Sequence, residues 1–139
     1  MRFFSLAILS CCLLGGAVAG LTAAESTQAP ATAEPTISKT ELDKAIAAKS
    51  VVLIDVCGTE SFTKNGHLPG AIDWQAHKKD LASLLPKDKN ALIVAYCVSK
   101  TCPSYKKGVS AATNLGYSNV VHYAPGLSGW VEDGGKLEK

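Results

Sequence analysis

The 139-residue sequence has little net charge and almost no arginine. The net charge is +2, and Arg2 is the single arginine. Nucleic acids and anionic membranes require a strongly basic surface, so the composition argues against both kinds of partner. A phosphatase cysteine loop generally needs arginine to bind phosphate oxygens, and the chain has none after Arg2. The length leaves room for one small domain.

The chain also lacks any recognised spacing of metal ligands. The set of possible ligands comprises the histidines His67, His77 and His122 and the cysteines Cys57, Cys97 and Cys102. Taken together, these residues show no recognised spacing of zinc ligands. Therefore we expect neither a metal nor another cofactor.

The N-terminus has the three-part pattern of a secretory signal peptide. A basic start is followed by an apolar stretch over residues 3–21, with small residues before the candidate cleavage sites after Ala19 and Ala24. An uncleaved membrane anchor fits less well, because glycines interrupt the run. We expect a signal peptide over residues 1–24 and an exported protein, periplasmic or secreted, with no membrane association after cleavage.

Residues 25–36, rich in Ala, Thr, Pro and Glu, predict a flexible linker before a domain over residues 37–139. Export would remove Cys11 and Cys12 and leave Cys57, Cys97 and Cys102 in an oxidising compartment. An odd number of cysteines there indicates a free or exchanging thiol.

Apolar runs and turn residues alternate regularly through this domain. They predict strands over 51–56, 71–73, 91–96 and 119–123, and helices over 39–48, 77–85, 104–115 and 126–134, with a loop over 58–65. Alternating strands and helices indicate an α/β fold with a mainly parallel sheet covered by helices on both faces. Functional sites in such folds lie at the carboxyl ends of the strands.

Cys97 directly follows the strand over 91–96, and Pro103 suits the start of the next helix. A tight loop with inward amides before a helix N-terminus stabilises an anion or thiolate. Cys97 is therefore a candidate nucleophile of lowered pKa, although a small buried residue at a strand end fits the position equally well. Cys57 follows the strand over 51–56 and would share the crevice if the two strands were neighbours.

Several motifs resemble those of the rhodanese-like, or sulfurtransferase, domains, over about residues 37–135. They are Leu53-Ile-Asp-Val56, Gly66-His-Leu-Pro-Gly-Ala-Ile72, Tyr96-Cys97, Leu115-Gly-Tyr117 with Asn119-Val120, and Gly126 with Trp130. The resemblance implies the rhodanese-like α/β fold, a persulfide-forming Cys97, and an anion cradle made by Val98, Ser99, Lys100, Thr101 and Cys102.

The chain departs from the family pattern in three places. Cys57 and Ser61 stand where the family often has an arginine and a glutamate after the first central strand. The distance from Cys97 to Gly116 is longer than in the commonest pattern. Cys102 completes a Cys-x4-Cys-Pro arrangement that is similar to that of some exported single-domain members.

The resemblance implies a sulfurtransferase that takes sulfur from a small anion such as thiosulfate and passes it to cyanide, a thiol or a protein thiol partner. Lys100 would attract the donor, and the hydroxyls of Ser99 and Thr101 would bind the terminal sulfur. Alternatively, Lys100 is a solvated surface residue, and Ser99 and Thr101 cap the turn. The alternative is a thiol-disulfide or persulfide-reducing protein in which Cys102, or else Cys57, resolves Cys97. The third hypothesis is a non-catalytic binding module.

Overall fold

The computed structural model describes residues 34–139, which form a four-stranded parallel sheet flanked by helices. The expected signal peptide and most of the expected linker lie outside these residues. The strands are β1 (Val51–Asp55), β2 (Ile72–Asp73), β3 (Leu92–Tyr96) and β4 (Val120–His122), in the spatial order β2-β1-β3-β4. The helices are α1 (Lys39–Ala47), α2 (Thr59–Lys64), α3 (Trp74–His77), α4 (Leu81–Leu84), α5 (Tyr105–Asn114) and α6 (Gly126–Glu132). No helix in this part of the chain is both long enough and apolar enough to span a membrane.

The central strands β1 and β3 are buried on both faces, as their continuous apolar sequence predicts. One face packs on a cluster that includes residues of α4 and α5: Ile54, Val56, Leu81, Leu85, Ile93, Ala95, Cys97, Ala112, Tyr117 and Val120. The other packs on a cluster that includes residues of α1 and α6: Leu42, Leu53, Leu68, Val94, Tyr96, Tyr123, Leu127 and Trp130. We call these the first and second clusters. The α/β fold with helices on both faces is therefore confirmed.

Two local predictions were wrong. Residues 58–65 were expected to form a loop, but they contain α2, which buries none of its side chains and so gives no apolar periodicity. The expected helix over 77–85 is two short helices. Asp73 begins α3 earlier by accepting hydrogen bonds from the amides of Gln75 and Ala76, and a break at residues 78–80 precedes α4.

Segments at both ends of the domain are tied to the sheet. Ser38 and Glu41 form a capping box at the start of α1. The end of the expected linker pairs beside β4, where the His122 amide donates to the Pro35 carbonyl. Near the C-terminus, Glu138 and His67 exchange two backbone hydrogen bonds, so the tail closes over the turn that precedes β2.

Gly108 lets α5 lie close to the sheet, because a Cβ there would come within 2.9 Å of the Ala95 Cβ. We expect Gly108→Ala to lower the free energy of unfolding by about 1–3 kcal/mol, since overpacking outweighs the gain in helix propensity. The control is Ser110→Ala on the exposed side of the same helix, which should be neutral or slightly stabilising. Urea unfolding followed by circular dichroism compares them, and equal stability of the two variants would contradict the prediction.

Candidate active site

The candidate site lies where β1 and β3 end side by side. Asp55 pairs in register with Tyr96, and the Val56 amide donates to the Tyr96 carbonyl across 3.0 Å. Cys57 and Cys97 therefore follow neighbouring strands, as the sequence allowed.

The two cysteines nevertheless pack on opposite faces of the sheet. Side chains alternate between the faces of a strand, so residues one apart in register diverge. Cys97 belongs to the first cluster together with Val56 and Ala95, whereas Cys57 packs against the second. The structure thus does not place the two thiols in one crevice.

Cys97 forms a disulfide with Cys102, and Cys57 is left reduced. The Cα atoms of the bonded pair are 6.1 Å apart, within the usual range for a disulfide. The Cys102 amide donates to the Ser99 carbonyl across 3.1 Å, which closes a tight turn between the two cysteines. Of the two partners expected from the sequence, the structure pairs Cys102 with Cys97.

The five-residue loop after Cys97 is more exposed than the nucleophile position itself. Cys97 is 4% exposed and Val98 is 42% exposed. Lys100 and Thr101 are also exposed, and the hydroxyls of Ser99 and Thr101 lie 3.2 Å apart. All the residues of the expected cradle therefore lie in one loop between β3 and α5.

Helix α6 holds the start of this loop through its backbone. The Leu127 amide donates to the Cys97 carbonyl, and the Ser128 amide and hydroxyl both donate to the Val98 carbonyl, each across 2.9 Å. These contacts were not predicted from the sequence, because their acceptors, and two of their three donors, are backbone groups that every residue carries.

Gly126 is what permits α6 to come so close. Its φ is +66°, and a Cβ there would lie 2.5 Å from the Cys97 carbonyl oxygen and 2.9 Å from the Ser99 nitrogen. The Pro125-Gly126 pair was the available sequence signal, since it marks a turn, but it does not reveal what the turn approaches.

The loop keeps several backbone donors free. Within residues 34–139, no hydrogen bond uses the amides of Ser99, Lys100 or Thr101. Helix α5 begins soon after, at Tyr105, and its N-terminus adds a partial positive charge. Free amides beside a helix N-terminus are suited to binding an anion, which is the role that the sequence predicts for this loop.

Two clefts of different size adjoin these elements. A cleft of about 210 Å³ is bordered by Ser99, Lys100 and Thr101 on the loop and by Ser128 and Glu132 on α6. A larger one, of about 640 Å³, lies beside Cys57 and α2. The smaller cleft adjoins the loop that follows Cys97.

Cys57 lies in surroundings that suppress its reactivity. Burial and the neighbouring carboxylate of Asp55 raise the pKa of the Cys57 thiol far above its ordinary value. Asp55 is 1% exposed and accepts a 2.6 Å hydrogen bond from the Cys57 amide. A protonated thiol is a poor nucleophile, so Cys57 is unsuited to the roles considered for Cys97.

No group of three or more His, Cys, Asp and Glu side chains within residues 34–139 is arranged to hold a metal ion. His67 instead stacks on Phe62 with 3.6 Å between ring centroids, and His122 stacks on Tyr105 with 3.8 Å. Burial lowers the pKa of His122.

Comparison with protein families gives a match to the rhodanese-like domain over residues 38–133. Comparison with curated proteins finds no match. Among solved structures, a human single-domain sulfurtransferase is 22% identical, with a TM-score of 0.57, over 72% of this chain and 97% of that one.

Two larger enzymes of known structure contain a similar fold. A thiosulfate sulfurtransferase from Pseudomonas aeruginosa is 22% identical over 76% of this chain and 20% of its own length, with a TM-score of 0.59. A 3-mercaptopyruvate sulfotransferase from Escherichia coli is 19% identical over 77% of this chain and 51% of its own, with a TM-score of 0.58. At these identities the likeness concerns the fold.

We expect Gly126→Ala to destabilise the protein more than a matched change at Gly134. Both glycines have positive φ, but a Cβ at Gly134 would meet nothing within 4 Å. Gly134→Ala should cost about 1 kcal/mol for the backbone conformation alone, and Gly126→Ala should cost more because of the collision with the loop. Urea unfolding of the two variants measures the difference, and equal losses would show that the close approach is unimportant.

We expect the rate at which Cys57 reacts with iodoacetamide at about pH 8 to be at least about tenfold lower in the folded protein than in concentrated guanidinium chloride. Its raised pKa keeps the thiol protonated at pH values where ordinary thiols ionise. The rate of reaction in the folded protein should therefore continue to increase as the pH is raised beyond about 8.5, the usual pKa of a thiol. Mass spectrometry of the tryptic peptide over residues 50–64 gives the rate. Equal rates in the folded and unfolded protein would contradict the assignment.

Proposed function

This chain belongs to the rhodanese-like family, and we propose that it is a sulfurtransferase acting through a persulfide on Cys97. The observation that carries the proposal is the position of Cys97 at the carboxyl end of β3, before a loop with three free amides and the N-terminus of α5. The sulfurtransferase structures that share this fold support the same class of chemistry.

The reaction proposed for the reduced protein has two displacement steps. The Cys97 thiolate attacks the outer sulfur of thiosulfate, the sulfur–sulfur bond of the donor breaks, and sulfite leaves with the bonding electron pair. The terminal sulfur of the resulting persulfide is negatively charged, and the free amides of Ser99, Lys100 and Thr101 are suited to stabilise it. A thiolate or cyanide then attacks that sulfur and releases the Cys97 thiolate.

Lys100 and the two hydroxyls have supporting roles in this proposal. The exposed Lys100 attracts the anionic donor to the cleft, and the side chains of Ser99 and Thr101 are available to donate hydrogen bonds to it. Substrate binding thus depends on backbone amides and one ammonium group, without an arginine. No cofactor is needed, because both steps are displacements at sulfur.

The disulfide implies that the protein must be reduced before it can accept sulfur. Two electrons from a thiol reductant convert the Cys97–Cys102 pair to two thiols, and only then is Cys97 free to attack a donor. We propose that the protein works outside the cytoplasm, which the signal-like N-terminus and the disulfide both favour.

The disulfide also favours one alternative, a thiol-disulfide or persulfide-reducing protein. In that reaction the Cys102 thiolate attacks Cys97 of the persulfide, the disulfide forms, and hydrosulfide leaves. The two functions share the Cys97 persulfide and differ in whether Cys102 or an external acceptor consumes it. A non-catalytic binding module lacks a specific observation in its favour, since the nucleophile is retained.

The experiment is thiosulfate-to-cyanide transfer by the reduced chain, with Cys97→Ser and Cys102→Ser variants. We expect thiocyanate from the parent and from Cys102→Ser, and a fall to background for Cys97→Ser, which lacks the attacking thiolate. Cys57→Ser is the control, because its side chain packs on the opposite face of the sheet.

Thiocyanate from Cys97→Ser would overturn the persulfide mechanism. Sulfide release that requires both Cys97 and Cys102, without thiocyanate from any of the proteins, would favour the redox alternative. Adding and withholding a dithiol tests the requirement for reduction: the oxidised parent should be inactive, whereas Cys102→Ser should not need the dithiol.

A further inference from the structure

The two cysteines of the Cys97–Cys102 disulfide differ in how far they are open to solvent. Cys97 is 4% exposed and is packed in the first cluster. Cys102 lies only at the margin of that cluster and is partly exposed, and its neighbours Thr101 and Pro103 are both exposed. An external reagent therefore meets Cys102 first.

The geometry of attack adds to this difference. A thiolate displaces one sulfur of a disulfide by approaching the other in line, from the side opposite the bond that breaks, so the attacked sulfur needs open space on that side. Cys97 is 4% exposed and is packed together with Val56 and Ala95, which leaves little such space. Cys102 is partly exposed and leaves more.

We propose that Cys102 is the site of thiol modification through which this protein is activated. A reductant thiolate forms a bond to the Cys102 sulfur, the Cys97–Cys102 bond breaks, and its electron pair leaves on Cys97 as a thiolate. A second thiolate then attacks the reductant's sulfur in the mixed disulfide, releases Cys102 and forms the oxidised reductant. Two thiols are oxidised to one disulfide and the protein gains the two electrons, so the exchange balances.

In this order of steps, Cys97 is the first of the two cysteines to be released as a thiolate. The thiolate released first is Cys97, which directly precedes a loop with three free amides and the N-terminus of α5. A better stabilised thiolate is a better leaving group, so the electrostatics favour the same direction as access. Cys97 becomes free while Cys102 is still blocked by the reductant.

This inference rests on the proposed function only for the use made of the freed thiolate, and its test needs no sulfur donor. The oxidised full-length chain is exposed briefly to reduced glutathione and quenched with acid. Free thiols are then trapped with N-ethylmaleimide, and the protein is digested with trypsin under mildly acidic, non-reducing conditions. Cleavage after Lys100 separates the cysteines into the peptides Asn90–Lys100 and Thr101–Lys106.

We expect glutathione on Thr101–Lys106 and maleimide on Asn90–Lys100, in excess over the reverse pattern by about tenfold or more. The control is the same reaction in concentrated guanidinium chloride, where both sulfurs are accessible and the ratio should fall toward unity. Glutathione on Asn90–Lys100, or equal labelling of the two peptides in the folded protein, would overturn the proposal. An unchanged ratio in the denaturant would also overturn it, because the preference would then not come from the fold.

Discussion

The in-register pairing of β1 with β3 is the constraint on which the arrangement of the site depends. Because Asp55 faces Tyr96 across the two strands, the next positions, Val56 and Cys97, share one face of the sheet. Cys57 falls on the other face, beside the carboxylate of Asp55. The register thus separates the thiol of Cys97, the proposed nucleophile, from the thiol of Cys57, which is kept protonated, although both residues follow the ends of adjacent strands.

A second element, α6, fixes the loop that follows the end of β3. The carbonyls of Cys97 and Val98 are occupied by amides at the start of α6, and only a glycine at position 126 allows that approach. With these acceptors occupied by helix amides, the loop still has free donors at Ser99, Lys100 and Thr101. This division of donors and acceptors makes the loop suited to a negatively charged sulfur, and it is achieved by backbone geometry more than by side chains.

Much of this was accessible from the sequence, because long apolar runs identify buried strands and their order places Cys97 at a strand end. The helical start after Pro103 was also visible. Helix α2 was missed because none of its side chains is buried, and the approach of α6 to the loop was missed because backbone contacts leave no pattern. The sequence also could not assign the disulfide, since the separation of Cys57 from Cys97 depends on strand register.

Residues 34–139 contain no arginine, which limits the ways in which this region can bind an anion. Asp55 is buried at the end of β1, and one of its carboxylate oxygens has no hydrogen-bond partner among these residues. Where an arginine would commonly follow that strand, Cys57 offers only a thiol.

The positive potential for an anion must therefore come from the loop amides, from α5 and from Lys100. Backbone amides and a single ammonium group do not offer the planar, two-pronged contact that phosphate oxygens favour, whereas a persulfide has one terminal sulfur to stabilise. These features support the proposed sulfur transfer over phosphoryl transfer.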